Sequence, residues 1–276
     1  MLLWASAFVV IRGVGPHYDP GSLALLRMLV GSVALGVIAA VRGVRWPSRR
    51  SVPLVVAWGV AWFALYNLAL NTAETQIDAG TTAMLVNLAP LIVVILGGLL
   101  LGEGFPRRLV VGAPLAFVGV VLIGAASSTG RAAAGGVVLA IVAAFLYGGS
   151  ALLQKHLLKV VDPVTLTWLG ATSGTVALLP WAPRLMGDLA TAPLPATLAV
   201  VYLGVFPTAI AFTTWAYVLS RSTAGRTAAT SYLVPAIAIV LSWMFLGEAP
   251  TAVMLLGGAL CLLGVFVTRL PDRTRA

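Results

Sequence analysis

The sequence is poor in the residues that water-soluble proteins place on their surfaces. Only 9% of its 276 residues are charged, eight are acidic, two are histidine and one, Cys261, is cysteine. A single cysteine excludes a disulfide framework, and with His17 and His156 far apart it leaves no clustered ligand set for a metal. There is no Gly-x-x-x-x-Gly-Lys-Ser/Thr loop for nucleotide phosphates, no Gly-x-Ser-x-Gly and no His-Glu-x-x-His. Catalysis has no recognisable seat, ATP does not drive the chain directly, and no cofactor is expected. The acids, Asp19, Glu74, Asp78, Glu103, Asp162, Asp188, Glu248 and Asp272, all fall in loops or near the ends of apolar runs. Proton coupling through a carboxylate in mid-membrane is therefore not expected.

Apolar residues are what the chain has in excess: 60% are hydrophobic and the mean hydropathy is +1.03. Globular chains are about 45–50% apolar and about 25% charged, so the surplus must face lipid. The net charge of +9 comes from 17 Lys and Arg scattered between apolar runs, which argues against nucleic acid as a partner. Runs long enough to span a bilayer, which takes about 20 residues, lie near 21–41, 52–73, 79–101, 109–127, 135–154, 163–183, 195–219, 226–246 and 251–268, with a short first run at 1–13. That first run lacks a basic stretch before it and a small-residue cleavage site after it, so it reads as a helix and not as a signal peptide.

Charge supplies an independent check on ten spans. Alternate loops collect Arg42, Arg45, Arg49 and Arg50; Arg107 and Arg108; Lys155 and Lys159; Arg221 and Arg226; and Arg269, Arg273 and Arg275. The opposite side has Arg12, Arg131 and Arg184, and Arg27 lies within a run. Basic residues favour the cytoplasmic side, so an inner-membrane protein with both termini in the cytoplasm is expected.

The chain also repeats. Asp19-Pro20 recurs 143 residues later as Asp162-Pro163, and the same register pairs Trp4 with Tyr147 and Arg12 with Lys155. At 145 residues, Gly59-Val60 matches Gly204-Val205, Ala79-Gly80 matches Ala224-Gly225, Pro90 matches Pro235, and Leu101-Gly102-Glu103 matches Leu246-Gly247-Glu248. Each half would carry five helices, an odd number, so the second half must cross in the opposite sense. The expected fold is all-α and integral to the membrane, with ten helices as two inverted repeats over 1–128 and 134–270, followed by a tail at 271–276.

The paired pattern of a mid-helix proline thirteen residues before a Gly-Glu resembles the EamA domain of the drug/metabolite transporter superfamily. Trp4-Ala5-Ser6-Ala7-Phe8 and Leu26-Arg27 resemble that family's opening helix and second-helix arginine. The resemblance implies a basket in which helices 1, 3, 4, 6, 8 and 9 line a central cavity, alternating access, and export of amino acids, related metabolites or toxic organic compounds. Gly170 stands where a second Leu-Arg pair would fall, so Arg27 has no counterpart.

Candidate residues follow from polarity at depth. Pro90 and Pro235 remove a backbone donor in mid-helix and are candidate hinges; a tolerated kink is the plainer reading. Asn87 and Tyr232 stand one turn before each proline and are expected to line a cavity, the alternative being a helix–helix hydrogen bond. Tyr66, Asn67 and Asn71 in the third run, Thr214 and Trp215 in the eighth, and the repeat-paired Trp4 and Tyr147 complete the substrate-binding candidates, with packing or interfacial anchoring as the plain alternative for the aromatics. Arg27, about 9 Å from the outer end of its helix, is close enough to snorkel outward; the expected role is structural, bonding carbonyls of a neighbouring helix, with substrate binding as the alternative. Arg12 and Lys155 are read as guards of the cavity mouths or as interfacial anchors, and Glu103 and Glu248 as caps for the next helix. Gly112, Gly119, Gly257 and Gly264 are expected to permit close helix packing.

The function expected is secondary transport, in the export direction, of small neutral or zwitterionic metabolites such as amino acids. Carriage of phosphorylated or hydrophobic compounds, and lipid scrambling, stand as alternatives. The expected partners are a small-molecule substrate and the lipid bilayer, and the expected state is a monomer.

Overall fold

The structure, a computed structural model, describes residues 1–77, 79–127, 133–246 and 249–270. Asp78, Arg131, the second Gly-Glu pair at 247–248 and the tail with Asp272, Arg273 and Arg275 lie outside the described residues, and of Arg12, Glu74 and Thr81 only the backbone is described. All regular structure among the described residues is helical.

The chain begins with α1 (Leu2–Val14) and α2 (Pro20–Arg42). Helix α3 runs through Val52–Gly59, a π-helical segment Val60–Leu65, and Tyr66–Gln76. Helix α4 comprises Ala79–Val86 and Ala89–Leu100 with a turn between them, followed by α5 (Arg107–Ser127) and α6 (Ala134–Leu157). Then come α7 (Pro163–Leu178) and α8, which is built from Leu194–Leu203, a π-helical segment Gly204–Ile210, and Ala211–Arg221. Helix α9 joins Ala224–Ala229, a tight 3-10 turn Thr230–Tyr232 and Leu233–Leu246, and α10 is Ala252–Arg269. Between α7 and α8 the apolar runs near 163–183 and 195–219 leave a short polar break. The structure has a further helix there, Ala182–Thr191, whose Arg184 pairs with Asp19 at 2.9 Å and whose Asp188 accepts from the Asp19 backbone N–H at 3.0 Å.

Among the described residues, six helices are long and apolar enough to cross a membrane; α1 over Leu2–Ile11, α4 over Met84–Leu100 and α10 over Ala252–Thr268 are apolar but shorter. On α2, Leu29, Val33, Val37 and Val41 are exposed four residues apart, while Met28 and Leu35 on other faces are fully buried. Both faces are apolar, as a helix packed on one side and bathed in lipid on the other must be.

The repeated Asp-Pro pairs are helix starts. Asp19 accepts the Gly21 N–H at 3.0 Å, and Asp162 accepts those of Val164 at 3.1 Å and Thr165 at 3.0 Å. The proline that follows occupies the first helical position, where its missing donor costs nothing. Asp162→Ala is expected to cost about 0.5–2 kcal/mol, measured as a lowered melting temperature in detergent.

By packing, the chain forms two compact units, each of which draws helices from both halves of the repeat. One unit comprises Met1–Ala5, Ala73–Leu152 and Ser222–Ala276; the other comprises Ser6–Thr72 and Leu153–Arg221. In the first, α5 and α10 lie antiparallel with Gly112 against Gly264 and Gly119 against Gly257, so close that a Cβ at Gly119 would sit 2.4 Å from the Gly257 carbonyl oxygen. These are the four glycines whose seven-residue spacing signalled close packing. Also antiparallel, α4 meets α9 where Val94 approaches Gly225 and Gly97 approaches Ala224. In the second unit, α2 runs antiparallel to α7, with Ser32 hydrogen-bonded to Thr172 at 2.7 Å and Gly36 beside Trp168. An aromatic cluster of Trp58, Trp62, Phe63 and Phe212 joins α3 to α8.

Candidate functional site

Helix interruptions recur at matched positions in the two halves, and each has a chemical cause. Gly59 and Gly204, paired in the repeat, immediately precede or open the two π-helical segments. Both are places of close approach: a Cβ at Gly59 would lie 2.7 Å from Gly170 Cα, and one at Gly204 would lie 2.9 Å from the Arg27 carbonyl oxygen. A π turn frees carbonyls from the regular ladder, and side chains collect them here. Asn67 donates its amide to the carbonyls of Trp62 at 3.3 Å and Phe63 at 3.0 Å, and the Thr208 hydroxyl donates to that of Leu203 at 2.9 Å.

The other matched pair lies before the prolines. Pro90 has no N–H to offer Val86, and α4 turns at Asn87-Leu88, where the Leu88 N–H bonds the Leu85 carbonyl at 3.1 Å. In α9, Pro235 follows the tight turn Thr230–Tyr232. The first unit gathers polar groups around these breaks: the Tyr147 hydroxyl of α6 hydrogen-bonds Ser231, which itself donates to the Ala228 carbonyl at 2.7 Å. Trp4 and Asn87 belong to the same unit and are half-buried.

Tyr232 is placed differently from the expectation of a cavity-lining side chain. It has no exposed surface and sits in a packed cluster with Val94, Ala113, Ala116 and Cys261, its ring 6.4 Å from that of Phe117. Its hydroxyl is buried without a hydrogen-bond partner among the described residues, so packing alone holds the ring there. The counterpart positions Asn87 and Tyr232 are therefore unlike in setting, the first half-buried and the second without exposed surface.

In the second unit, Asn71 donates to the Pro20 carbonyl at 3.0 Å and so ties α3 to the start of α2. Trp215 is buried and donates its ring N–H to Gln154 Oε1 at 3.1 Å. Thr214 is exposed and bonds back to the Ile210 carbonyl at 2.8 Å within its own helix, the common fate of a helical threonine. Tyr66 is half-buried and lies within electrostatic reach of Arg27. Lys155 donates to the Leu219 carbonyl at 2.7 Å, so it braces the end of α8 as well as standing at the end of α6.

Two further placements correct the sequence reading. Glu103 does not cap the helix that follows it. Gly102 and Gly104 flank it with φ of +65° and +69°, a left-handed backbone that glycine adopts freely. The turn carries the carboxylate to the start of α9, where Oε1 accepts the Ala224 N–H at 2.7 Å and Oε2 accepts the Gly225 N–H at 3.2 Å. Arg27 does not turn outward either: its Nε donates to Thr208 Oγ1 at 2.9 Å, in the middle of α8. Sequence reasoning marked Ser231 only as a weaker candidate, a hydroxyl able to bond back to its own helix, and passed over Thr208 and Gln154. The last was visible as an amide at the end of an otherwise apolar run, and Thr208 as the hydroxyl beside Pro207 in the repeated Gly-Val segment.

Comparison with known proteins places these features. Residues 1–125 and 134–270 each match the EamA-like transporter family. A probable terminal-alkyne amino-acid exporter of Streptantibioticus cattleyicolor is 36% identical over 97% of this chain and 90% of its own length. An uncharacterized transporter of Bacillus subtilis is 34% identical over 97% of this chain and 88% of its own, and a probable amino-acid metabolite efflux pump of Salmonella typhimurium is 24% identical over 100% and 94%. One crystal structure superposes with a TM-score of 0.79 at 23% identity, over 99% of this chain and 95% of that one.

Proposed function

The chain belongs to the EamA-like transporter family, and from that premise we propose that it exports amino acids or related small zwitterionic metabolites by alternating access. In this reading ten helices cross the inner membrane as two inverted repeats, 1–128 and 134–270, with both termini in the cytoplasm. The observation that carries the proposal is the set of matched helix breaks, one of each pair from each half, at Gly59/Gly204 and before Pro90/Pro235. Broken helices at membrane depth expose backbone groups and give a carrier its bending points and its polar contacts. The antiparallel pairing of α2 with α7, α4 with α9 and α5 with α10 supports inversion, since mates in parallel repeats would run the same way.

The named relatives that handle amino acids support the substrate class. Trp4, Tyr66, Asn87 and Tyr147 are the residues proposed to meet substrate, with Asn67, Asn71, Trp215 and Tyr232 holding the broken helices in shape and Pro90 and Pro235 as hinges. Glu103 then serves as a clasp that holds the end of α4 to the start of α9 in one state of the cycle and releases it in the other.

The test is uptake of a panel of labelled amino acids into liposomes containing purified protein, for the wild type, Asn87→Ala and Tyr147→Phe. Saturable uptake that falls at least about tenfold in both variants is the expected result. No uptake of any amino acid by the wild type, with uptake of hydrophobic cations instead, would replace the substrate class; uptake undiminished in both variants would remove the site.

A further inference from the structure

Arg27 is the one basic side chain within the apolar run of its helix, and its path runs against the ordinary one. Helical side chains lean toward the N-terminal end of their helix, and a charged one in a membrane gains most by reaching the nearer interface. For Arg27, seven residues into α2, both effects point back toward Asp19. The structure sends it the other way. Tyr18 hydrogen-bonds Thr197 at 2.7 Å near the starts of α2 and α8, and Gly31 lies against Gly204 and Thr208. The two helices thus run parallel, and Thr208 stands level with Gly31, a turn deeper than Arg27. Gly31, having no side chain, leaves the lane open; a Cβ there would lie 2.7 Å from the Thr208 methyl group.

At that depth the guanidinium is left with one hydrogen bond. Its Nε donates to Thr208 Oγ1, and the Thr208 hydroxyl is itself committed to the Leu203 carbonyl freed by the π turn. The two terminal nitrogens, with four N–H groups, bond no described residue, and no carboxylate among the described residues pairs with the charge. A guanidinium keeps its charge at every physiological pH. Tyr66 of α3 lies within electrostatic reach of the charge. A planar fork of donors, anchored by its Nε with both terminal nitrogens left over, matches a carboxylate in bidentate geometry.

We propose that Arg27 is the carboxylate anchor of the transport site, with Thr208 fixing the plane of the guanidinium and Tyr66 standing beside the bound group. The ligand is the α-carboxylate of the exported amino acid, so the proposal rests on the amino-acid reading above and adds which end of the substrate this chain grips.

The experiment compares each transported amino acid with its carboxamide, which keeps the side chain and ammonium but loses the negative charge. In liposomes the wild type is expected to prefer the acid. Arg27→Gln is expected to raise KM for the acid at least about tenfold while leaving the amide within about twofold, and Arg27→Lys, which keeps charge without the fork, to fall between. Thr208→Val is expected to raise KM for the acid with a smaller change for the amide. A loss of acid and amide transport in equal proportion in Arg27→Lys and Arg27→Gln, with folded protein recovered, would make Arg27 a structural brace and overturn the proposal while leaving the amino-acid reading intact. Wild-type transport of the amides but of no amino acid would overturn both.

Discussion

Gly119→Ala is expected to lower the melting temperature of the purified protein by several degrees, and Gly119→Leu to abolish recovery of folded material. The added Cβ would lie 2.4 Å from the Gly257 carbonyl oxygen and 2.7 Å from the Cys261 backbone nitrogen. Those atoms belong to the backbone of α10 and cannot swing aside as a flexible side chain does. The two helices must separate along a face where Gly112, Ala116, Cys261 and Gly264 also touch. Overpacking of this kind costs about 1–3 kcal/mol, and each kcal/mol shifts the midpoint by roughly 2–4 °C in a domain of about 150–250 residues. Gly264→Ala is expected to behave alike, with its Cβ 2.4 Å from the Ala116 nitrogen. Gly187→Ala supplies the control, since nothing lies within 4 Å of the added carbon and alanine favours a helix over glycine by about 1 kcal/mol. Equal midpoints for Gly119→Ala and Gly187→Ala would show that the close face of α5 and α10 does not hold the unit together.

Glu103→Ala is expected to loosen the start of α9. Its two carboxylate oxygens accept from Ala224 at 2.7 Å and Gly225 at 3.2 Å, so removal leaves two N–H groups at a helix start without their acceptor. A hydrogen bond to a charged group contributes about 1.5–3 kcal/mol, and a negative charge at a helix N-terminus adds to it. Glu103→Gln keeps one acceptor oxygen and is expected to lose about half as much. If this contact is the clasp of the transport cycle, a cysteine placed at Thr223 in Glu103→Ala will react with a water-soluble maleimide several-fold faster than in the parent. An unchanged labelling rate together with an unchanged melting temperature would show that the carboxylate holds nothing.

Much of the architecture was legible because it rests on local chemistry that repeats. The Asp-Pro pairs announce helix starts through a side-chain cap and a fixed φ, and both are helix starts. Mid-helix prolines must break the hydrogen-bond ladder, and α4 and α9 are broken within a turn of Pro90 and Pro235. The glycine spacing on α5 and α10 requires a bare helix face, although the sequence could not say that each face meets the other. The site was less legible. Asn67, Asn71 and Trp215 were singled out as polar groups at depth, and the structure gives each an intramolecular partner, because a carbonyl freed by a π turn or a buried amide recruits whatever donor the fold brings near. The π turns had no period to announce them; only the recurrence of Gly-Val at the same place in both halves marked the spot.

From sequence alone come the membrane as solvent, the helices with their starts and breaks, and the internal repeat. These depend on composition, on backbone donors present or missing, and on residues close along the chain. The tertiary structure decided the rest. It interleaves the halves, so that each compact unit takes matched helices from both, because close faces on matched helices are complementary to each other and not to their own neighbours in sequence. It selects which of two apolar faces of α2 is packed and which is left for lipid, a choice that hydropathy cannot make when both faces are apolar. It carries Glu103 to a helix more than a hundred residues away and turns Arg27 inward, because the partners of a charged group in lipid are set by what stands within reach in space.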